Sequence, residues 1–398
     1  MQRMMDPRHF ERSDESFGAA RDILTNGFRG ERAPMTQTKS SNSLDVGVMT
    51  DTALSDVDGE QGRLTIRGYE VERLAGQIGF EDVTALLWNG SLPDAAARAS
   101  MREALAAGRV EAYERLGSLG DALALGDAMD GLRASVAHLG IEAGDTDEGP
   151  KLVGALAVFA AAWCRRAAGL EALAPDARLT HSADYLRMML GQAPNEAIDR
   201  ALGTYLVTIA DHGMNASTFA ARVVASTGSD AVSAIVAGIG ALKGPLHGGA
   251  PGPVLDMLDA VGSPDRATSW LEGELSAGRR VMGMGHRIYR VRDPRAAVLE
   301  RAVLELERAG IATGKLALAR AVEQAAERML AARYPQRNLR ANVEFYTAVL
   351  LDAVGIPRRM FSPTFAVGRV AGWYAHVREQ RAAGRLIRPA SRYVGPRP

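Results

Sequence analysis

Three histidines lie in short polar or glycine-rich stretches, where an imidazole could bind or polarise a small molecule. His212 follows an apolar run and precedes the capping-type residues Asn215 to Thr218. His247 lies between glycines and a proline, where the backbone can approach a ligand closely. His286 ends a Gly-x-Gly-His motif. Each histidine alone is also compatible with a structural hydrogen bond or an exposed helix end, so only their combination would indicate a site.

A dense group of arginines begins directly after His286. Its members are Arg287, Arg290, Arg292 and Arg295. Arginine clusters suit carboxylate and phosphate anions because the guanidinium fork binds two oxygens at once. Charge runs of this kind are usually solvated turns, but the adjoining Gly-x-Gly-His favours an anion site. The two glycines do not form a dinucleotide-binding fingerprint, because no third glycine or preceding strand fits.

Glu344 and Arg369 are the remaining candidates, closer to the C-terminus. Asn342 can cap a helix whose first turn contains Glu344, and an acid there complements the helix dipole. Arg369 shares a helical face with Phe365 and Trp373, which should be packed. A buried guanidinium needs an acidic partner. The sequence leaves open whether that partner belongs to the protein or to a substrate.

Helices must hold these residues in place, since apolar side chains recur at helical spacing along most of the chain. The predicted helices span residues 95–107, 152–168, 195–210, 231–242, 297–309, 316–331 and 363–383. For the last helix we expect Ser362 as N-cap, Pro363 in the first turn and Gly384 at the exit. The segment from Ser55 to Gly62 is typical of a turn, and a short strand follows at residues 63–67. With no alternation of strands and helices in the sequence, the predicted fold class is all-α.

Composition and charge are those of an ordinary globular protein. Of the 398 residues, 47% are hydrophobic and 24% charged, and the formal net charge is zero. No global field therefore attracts the protein to nucleic acid or to an anionic membrane. The single cysteine, Cys164, excludes an intramolecular disulfide, and no cysteine cluster could hold a metal. We expect a buried, inert thiol beside the apolar residues 152–163, which are too few to cross a bilayer.

The first residues form no part of the predicted core. Residues 1–45 lack a sustained apolar period and end in a polar run, so we expect a disordered extension. They contain neither a secretory apolar segment nor the acid-poor composition of a transit peptide. The expected location is therefore cytoplasmic.

Taken together, the stretches around these candidates resemble the citrate synthase family, including its 2-methylcitrate synthase branch. Two further segments share the resemblance: residues 52–69, with the sequence TALSDVDGEQGRLTIRGY, and residues 362–373, with the sequence SPTFAVGRVAGW. The matches cover about residues 46 to 396 in the family's order. Each motif alone is weak, but their joint occurrence is specific.

The resemblance implies an all-α homodimer with two domains in each subunit and no permanently bound cofactor or metal. The large domain would comprise residues 46–249 and 356–398, and the small, mobile domain residues 250–355. The implied substrates are oxaloacetate and an acyl-CoA thioester such as acetyl-CoA, with CoA as a product. Neither nucleic acid nor a membrane is an implied partner.

The resemblance also implies a role for each candidate residue. His247 would hydrogen-bond the thioester carbonyl, and His286 would polarise the ketone of oxaloacetate. The residues implied to bind oxaloacetate are His212, Arg295 and Arg369, with Arg388 reaching the site of the partner subunit. The residues implied to bind CoA are Val281, Gly283, Met284, Gly285, Arg290 and Asn342.

Glu344 departs from the family pattern, in which an aspartate follows Asn-Val and acts as the base. The added methylene lengthens the side chain by roughly 1.5 Å, and a misplacement of about 1 Å can cost about 100-fold in rate. We expect a compensated active site, because every other matched polar residue is intact. A carboxylate can remove the weakly acidic α-proton of a thioester only if the enolate oxygen is stabilised at the same time.

The sequence thus predicts an acyltransferase that forms citrate and CoA from acetyl-CoA, oxaloacetate and water. Three alternatives stay open. Use of propionyl-CoA would give 2-methylcitrate, and Glu344 would also fit a weakly active or non-catalytic acyl-CoA-binding relative. The C-terminal arginines could instead bind nucleic acid. This last alternative is the least favoured, because the net charge is zero and no nucleic-acid-binding motif is present.

Overall fold

The computed structural model describes residues 50–140, 148–248, 251–286, 288–311 and 314–397. These described residues form one compact unit by their internal contacts. The predicted disordered extension at residues 1–45 lies outside the described residues.

A small antiparallel sheet opens the described chain. Its strands are β1 (Ser55–Asp58), β2 (Arg63–Ile66) and β3 (Tyr69–Glu70), in the order β1-β2-β3. The strand predicted at residues 63–67 is confirmed, but the prediction of a turn from Ser55 to Gly62 is wrong for its first half. Leu64 and Ile66 are buried under the sheet, and this packing overrides the polar, turn-like composition of β1.

The remainder of the described chain is helical, which confirms the all-α fold class. The helices are α1 (Val71–Leu74), α2 (Phe80–Asn89), α3 (Ala95–Glu114), α4 (Ala128–Ala137), α5 (Glu148–Ala167), α6 (His181–Leu190), α7 (Glu196–Ile209), α8 (Ala216–Ser226), α9 (Ala231–Leu242), α10 (Pro251–Val261), α11 (Ala267–Ser276), α12 (Pro294–Arg308), α13 (Leu316–Arg333), α14 (Val343–Ala353) and α15 (Phe361–Ala383). Short 3-10 helices span Arg115–Ser118, Ala122–Ala124, Pro264–Arg266 and Arg358–Met360. Each of the seven predicted helices is present.

The start of α15 differs from the prediction. Met360 occupies the N-cap position, and the Ser362 hydroxyl donates to the carbonyl of Gly248. The preceding 3-10 helix runs directly into α15, so its carbonyls and amides need no serine cap at residue 362. Gly384 ends the helix in the left-handed conformation, as predicted.

Two long helices, α5 and α15, form the centre of the molecule. From Leu152 to Cys164 every residue of α5 is buried, and α15 is buried along most of its length. A helix that is apolar all round belongs in a protein core. α15 packs on α5, α7, α8 and α9. Cys164 is buried, as expected, and none of the described helices is long and apolar enough to cross a membrane.

The helices from α10 to α14 pack largely on one another. α12 and α10 both contact α14, and α11 contacts α13. This group meets the rest of the molecule mainly through α7, which contacts both α12 and α14. The division into a large domain and a mobile small domain at residues 250–355 stays a prediction.

Candidate active site

The segment that leads from α7 into His212 lies along one face of α15. Arg369 donates from Nε to the carbonyl of Ile209. One turn later, a Cβ on Gly372 would lie 2.1 Å from the carbonyl oxygen of Ala210, so a glycine is required at this contact. α15 thereby fixes the backbone that carries His212.

The rings of His212 and His286 lie edge to face, with their centroids 5.7 Å apart. Tyr289 contacts both of them: its hydroxyl is 3.1 Å from His212 Nε2, and its ring centroid is 4.7 Å from that of His286. The loop that carries His286 therefore closes over the His212 segment. Two histidines separated by more than seventy residues in the sequence are thus in direct contact.

Burial and neighbouring positive charge hold the pKa of His212 well below its usual value. Burial has the largest effect, followed by the guanidinium groups of Arg295 and Arg369 and then the imidazoles of His286 and His247. His212 is therefore neutral at physiological pH. Both arginines and the other two histidines therefore lie near enough to affect the charge of this ring.

The backbone fixes the tautomer of His286. Its Nδ1 accepts hydrogen bonds from the amides of Ile288 and Tyr289, each at 3.1 Å. A nitrogen that accepts two amide protons carries none itself, so the neutral ring bears its proton on Nε2. His286 can thus donate one hydrogen bond from Nε2 to an oxygen atom.

Ser217, which the sequence analysis did not single out, holds His247. The Ser217 hydroxyl lies 2.8 Å from His247 Nε2, accepts from Trp373 Nε1 at 3.1 Å and can donate to Asn215 Oδ1 at 2.7 Å. The only sequence signal was the position of Ser217 within the capping run that follows His212. Asn215 caps α8 as that run predicted.

Glu344 lies at the second position of α14, and Asn342 caps this helix, as expected. The residue is only 9% exposed, and its Oε2 has no hydrogen-bond partner among the residues that the structure describes. Burial raises the pKa of Glu344 to about 7, Arg295 and Arg369 oppose the rise, and Asp293 adds to it. A carboxyl group with this pKa can exchange a proton near neutral pH.

Arg369 and Arg295 are both buried but have different partners. Arg369 stacks on Phe365, 4.8 Å from the ring centroid, and the described residues place no carboxylate in ion-pair contact with it. The packed face predicted for Arg369 is confirmed, and burial lowers its pKa to about 10. Arg295 instead binds Asp293 through two nitrogens, the shorter ion-pair distance being 2.8 Å.

The described arginines that follow His286 have separate partners and do not form one anion-binding surface. Arg292 is bound by Glu300 and Glu323. Arg290 is largely exposed, with Nε 3.9 Å from a carboxylate oxygen of Glu60. Arg287 lies outside the described residues. Sequence spacing could not show this divergence, because the loop turns each side chain in a different direction.

The glycine-rich loop before His286 is tied to the start of α14. The amide of Gly285 donates to the carbonyl of Arg340 at 2.7 Å, and Met284 forms a bridge with Ala341. Asn342 donates from Nδ2 to the carbonyl of Gly285 at 2.8 Å while its Oδ1 accepts from the amide of Glu344. Both ends of the Asn342 side chain are thus occupied within the protein.

Close packing explains the glycines of this loop. Gly283 and Gly285 have φ angles of +71° and +87°, in the left-handed region. A Cβ would lie 2.9 Å from Phe345 at the first position and 2.9 Å from Leu339 at the second. Val281 is buried at the beginning of the loop. The loop therefore approaches α14 as closely as its backbone permits.

Arg388 lies on an exposed tail, away from the other candidates. The tail is anchored where the amide of Ile387 donates to the hydroxyl of Ser226, at the C-terminal end of α8. Asn215 and Ser217, beside the histidines, lie at the opposite end of this helix, about 16 Å away along its axis. A ring contact joins His212 to His286, and charge effects on pKa values link His212 to His247, Arg295 and Arg369, and these two arginines to Glu344. Arg388 of the same chain is not part of this group.

The β1–β2 hairpin is a second contributor to the site that the sequence did not reveal. Its Ser55 hydroxyl donates to Asp211 and accepts from the amide of Gly213 at 2.8 Å. At its tip, the carbonyl of Gly59 accepts from the amide of Arg290 at 2.8 Å. The hairpin therefore contacts both the His212 segment and the His286 loop. Its sequence was part of the resemblance, but nothing in it indicated this contact.

Known proteins are similar to this chain in sequence and in fold. The family model described as citrate synthase, C-terminal domain, matches residues 44–390. A citrate synthase of Mycolicibacterium smegmatis is 38% identical over 363 residues, which cover 88% of this chain and 94% of that protein. A 2-methylcitrate synthase of Mycobacterium tuberculosis is 36% identical over 357 residues, which cover 88% of this chain and 89% of that protein.

A solved structure extends the similarity to three dimensions. It is the citrate synthase of Thermoplasma acidophilum in ternary complex with carboxymethyl coenzyme A and oxaloacetate, with 26% identity and a TM-score of 0.79. The match covers 89% of this chain and 95% of that one. The family match includes every residue of the candidate site. The chain therefore belongs to the citrate synthase family.

Proposed function

We propose that the protein condenses acetyl-CoA with oxaloacetate and water to give citrate and CoA. The observation that carries this proposal is the buried carboxyl group of Glu344, which has a pKa of about 7 and lies among the charges of Arg295 and Arg369. The relatives named citrate synthase support the same reaction, as does the Thermoplasma acidophilum complex with carboxymethyl coenzyme A and oxaloacetate.

Oxaloacetate binds beside the two buried arginines. Arg369 and Arg295 bind its carboxylates, because a buried guanidinium group forms strong, directional hydrogen bonds with carboxylate oxygens. His212, held neutral by its surroundings, donates a further hydrogen bond. His286 donates a hydrogen bond from Nε2 to the ketone oxygen. This hydrogen bond draws electron density away from the carbon under attack.

Glu344 takes the α-proton of the thioester while His247 stabilises the enolate oxygen. A neutral His247 can donate from Nδ1 only if its Nε2 accepts, so the Ser217 hydroxyl turns its proton from Asn215 to His247 Nε2. The proton passes to Glu344 as the negative charge develops on the thioester oxygen. Simultaneous stabilisation of this charge makes such a weak acid reactive.

The enolate carbon then forms a bond to the ketone carbon of oxaloacetate. The ketone oxygen becomes an alkoxide and takes the Nε2 proton of His286. Water adds to the resulting citryl thioester, the C–S bond breaks, and CoA leaves as a thiol. Loss of the proton from Glu344 and reprotonation of His286 restore the site.

The CoA moiety lies along the loop from Val281 to Gly285. The left-handed conformation of Gly283 and Gly285 sets the course of this loop, and Met284 supplies an apolar contact. The exposed Arg290 binds a phosphate group. Asn342 acts indirectly, since its amide holds Gly285 and caps α14.

The active protein is a homodimer in which the small domain, residues 250–355, closes over the large one. α9 has apolar residues on every side, and its partly exposed Val236, Ala237 and Gly240 suit close packing against a second helix. Arg388 acts in the site of the partner subunit, in keeping with its distance from the site of its own chain. A buried, unpaired Cys164 fits a reducing compartment such as the cytoplasm.

A thiol-release assay with paired thioesters tests the proposal. We expect CoA release only when oxaloacetate is present, and faster release from acetyl-CoA than from propionyl-CoA. A preference for propionyl-CoA would instead assign 2-methylcitrate formation, the activity named for one relative. Calorimetric binding of CoA without release from any thioester would show a non-catalytic relative.

A further inference from the structure

We propose that Asp211 is a positioning residue for the oxaloacetate end of the site, held by Ser55 and His376 and acting through His212 and Arg369. This inference rests on the proposed function. Asp211 is fully buried, and its carboxylate accepts from the hydroxyl of Ser55 and lies 3.1 Å and 3.2 Å from His376 Nε2.

The proton on His376 can be assigned from its other neighbour. His376 Nδ1 lies 3.0 Å from Arg222 Nη1, and a guanidinium group can only donate. Nδ1 therefore accepts, and the neutral ring donates from Nε2 to Asp211. Arg222 is buried and is itself held by Glu379 and Gln380. A guanidinium, an imidazole and a carboxylate thus form one continuous buried chain that ends at Asp211.

Asp211 keeps its negative charge in this environment. Burial alone would raise the pKa of its carboxyl group, but His376, Ser55 and Arg369 together outweigh burial and lower it below the usual value. A buried carboxylate with several donors is a rigid anchor, because moving it would leave those donors unpaired.

The buried carboxylate of Asp211 fixes the backbone on both sides of His212. Asp211 precedes His212, and the amide of Gly213 after it donates to Ser55, whose hydroxyl also binds Asp211. These contacts restrict rotation of the peptide groups that aim the imidazole at Tyr289 and His286. A Cβ on Gly213 would also lie 3.3 Å from Val57, so β1 packs closely on this turn.

Arg369 depends on the same anchor. Its Nε binds the carbonyl of Ile209, two residues before Asp211, and His376 lies two turns further along α15. The charge of Asp211 opposes the effect of burial on Arg369 and favours its cationic form. Asp211 therefore orients His212 as a hydrogen-bond donor and stabilises the charge of Arg369, both on one side of oxaloacetate. Asp211 itself does not contact the substrate.

Substitution of Ser55 provides the cleaner test, because this residue is only partly buried and its loss should not prevent folding. We expect Ser55→Ala to raise KM for oxaloacetate on the order of tenfold, the usual consequence of losing one or two buried hydrogen bonds. KM for acetyl-CoA should change less than about twofold, since the described hydrogen bonds of the Ser55 hydroxyl go to Asp211 and Gly213 and not to the loop from Val281 to Gly285. Ser55→Thr keeps the hydroxyl and should restore the wild-type KM.

Asp211→Asn tests the anchor itself, and Asp184→Asn is its matched control. Both aspartates are fully buried, but the carboxylate of Asp184 binds Arg109 and Arg187. We expect Asp211→Asn to raise KM for oxaloacetate more than Ser55→Ala does. Asp184→Asn should lower Tm and leave both KM values unchanged.

The outcomes separate the inference from the proposed function. An active wild-type enzyme with an unchanged KM for oxaloacetate in Ser55→Ala would overturn the role of Asp211 alone. Equal rises of both KM values would do the same, because they indicate a general loss of structure. If the wild type releases no CoA, the proposed reaction fails, and calorimetric titration of oxaloacetate into wild type and Ser55→Ala decides the positioning role. A wild type that does not bind oxaloacetate overturns both.

Discussion

Two buried arginines of this protein have opposite surroundings. Arg109 and Arg369 are each 1% exposed. Arg109 donates from Nε to Asp184 at 2.7 Å and contacts the ring of His181. Arg369 donates to a backbone carbonyl and stacks on Phe365, with no described carboxylate in ion-pair contact. The first guanidinium group has a carboxylate in direct contact, whereas among the described residues the second is affected by Asp211 and Glu344 only from a distance.

The carboxylates of the two regions differ in the same way. Asp184 accepts from Arg109, from Arg187 and from the amide of Asp176. Glu344 has a buried oxygen without a partner among the described residues, although two buried arginines influence its pKa. Isolated buried charge is costly, so a folded protein tolerates it where a ligand uses it. The comparison therefore assigns stability to the Arg109 region and chemistry to the Glu344 region.

Substitution of Glu344 by glutamine should have the largest effect on turnover. The amide keeps the shape of the side chain but cannot accept the α-proton, so kcat should fall by about 10²- to 10⁴-fold. Oxaloacetate binding, measured by calorimetry, should be nearly unchanged. Asp184→Asn is the matched control and should keep the wild-type kcat. Unchanged CoA release in Glu344→Gln would remove Glu344 from the mechanism.

The substitution Glu344→Asp tests whether the site is built for the longer acid. Asn342 caps α14 with Glu344 in its first turn, so a shorter side chain withdraws the carboxylate from the thioester. We expect kcat to fall by up to about 100-fold, comparable to a misplacement of about 1 Å. A faster enzyme would show that glutamate impairs this family member.

Replacing each buried arginine with leucine compares the two regions directly. Arg369→Leu should raise KM for oxaloacetate by about 10- to 100-fold, because one charge-assisted contact with a carboxylate is lost. Arg109→Leu should leave KM unchanged but destabilise the fold by about 3 kcal/mol or more, since it breaks a buried pair. Steady-state kinetics of both variants measure the change in KM, and thermal unfolding measures the change in stability. If Arg369→Leu has the larger loss of Tm and no change in KM, the comparison is wrong.

Residue types and local spacing were enough to predict seven of the helices and several helix ends, but not the N-cap of α15. Asn215 and Asn342 occupy N-cap positions in the structure, and Gly384 ends α15 as expected. These features depend on neighbours within one or two turns of the chain. The packed environment of Arg369 also followed from its apolar helical neighbours.

Features that depend on tertiary contacts were not accessible from the sequence. The strand β1 reads as a turn because its stabilisation comes from packing and from pairing with β2. Arg292 was grouped with anion ligands, but Glu300 and Glu323 approach it from α12 and α13. The roles of Ser55 and Ser217 depend on partners roughly 30 to 150 residues away. Sequence spacing carries no information about such partners.

The pH dependence of activity and stability gives the smallest but most specific test of Glu344. Its pKa of about 7 lies above the ordinary value of 4.5, so the folded protein holds this proton more tightly than the unfolded chain. The contribution to stability is present below about pH 4.5 and is lost as pH rises towards 7.

Activity has the opposite dependence, because only the ionised carboxylate accepts a proton. We expect kcat/KM to fall about tenfold per pH unit below 7, whereas Glu344→Gln should be more stable than wild type at pH 8 and equally stable at pH 4. Thermal unfolding of both proteins at the two pH values measures this difference. A difference in Tm that does not depend on pH would mean that Glu344 titrates normally and that its burial does not prepare it as a base.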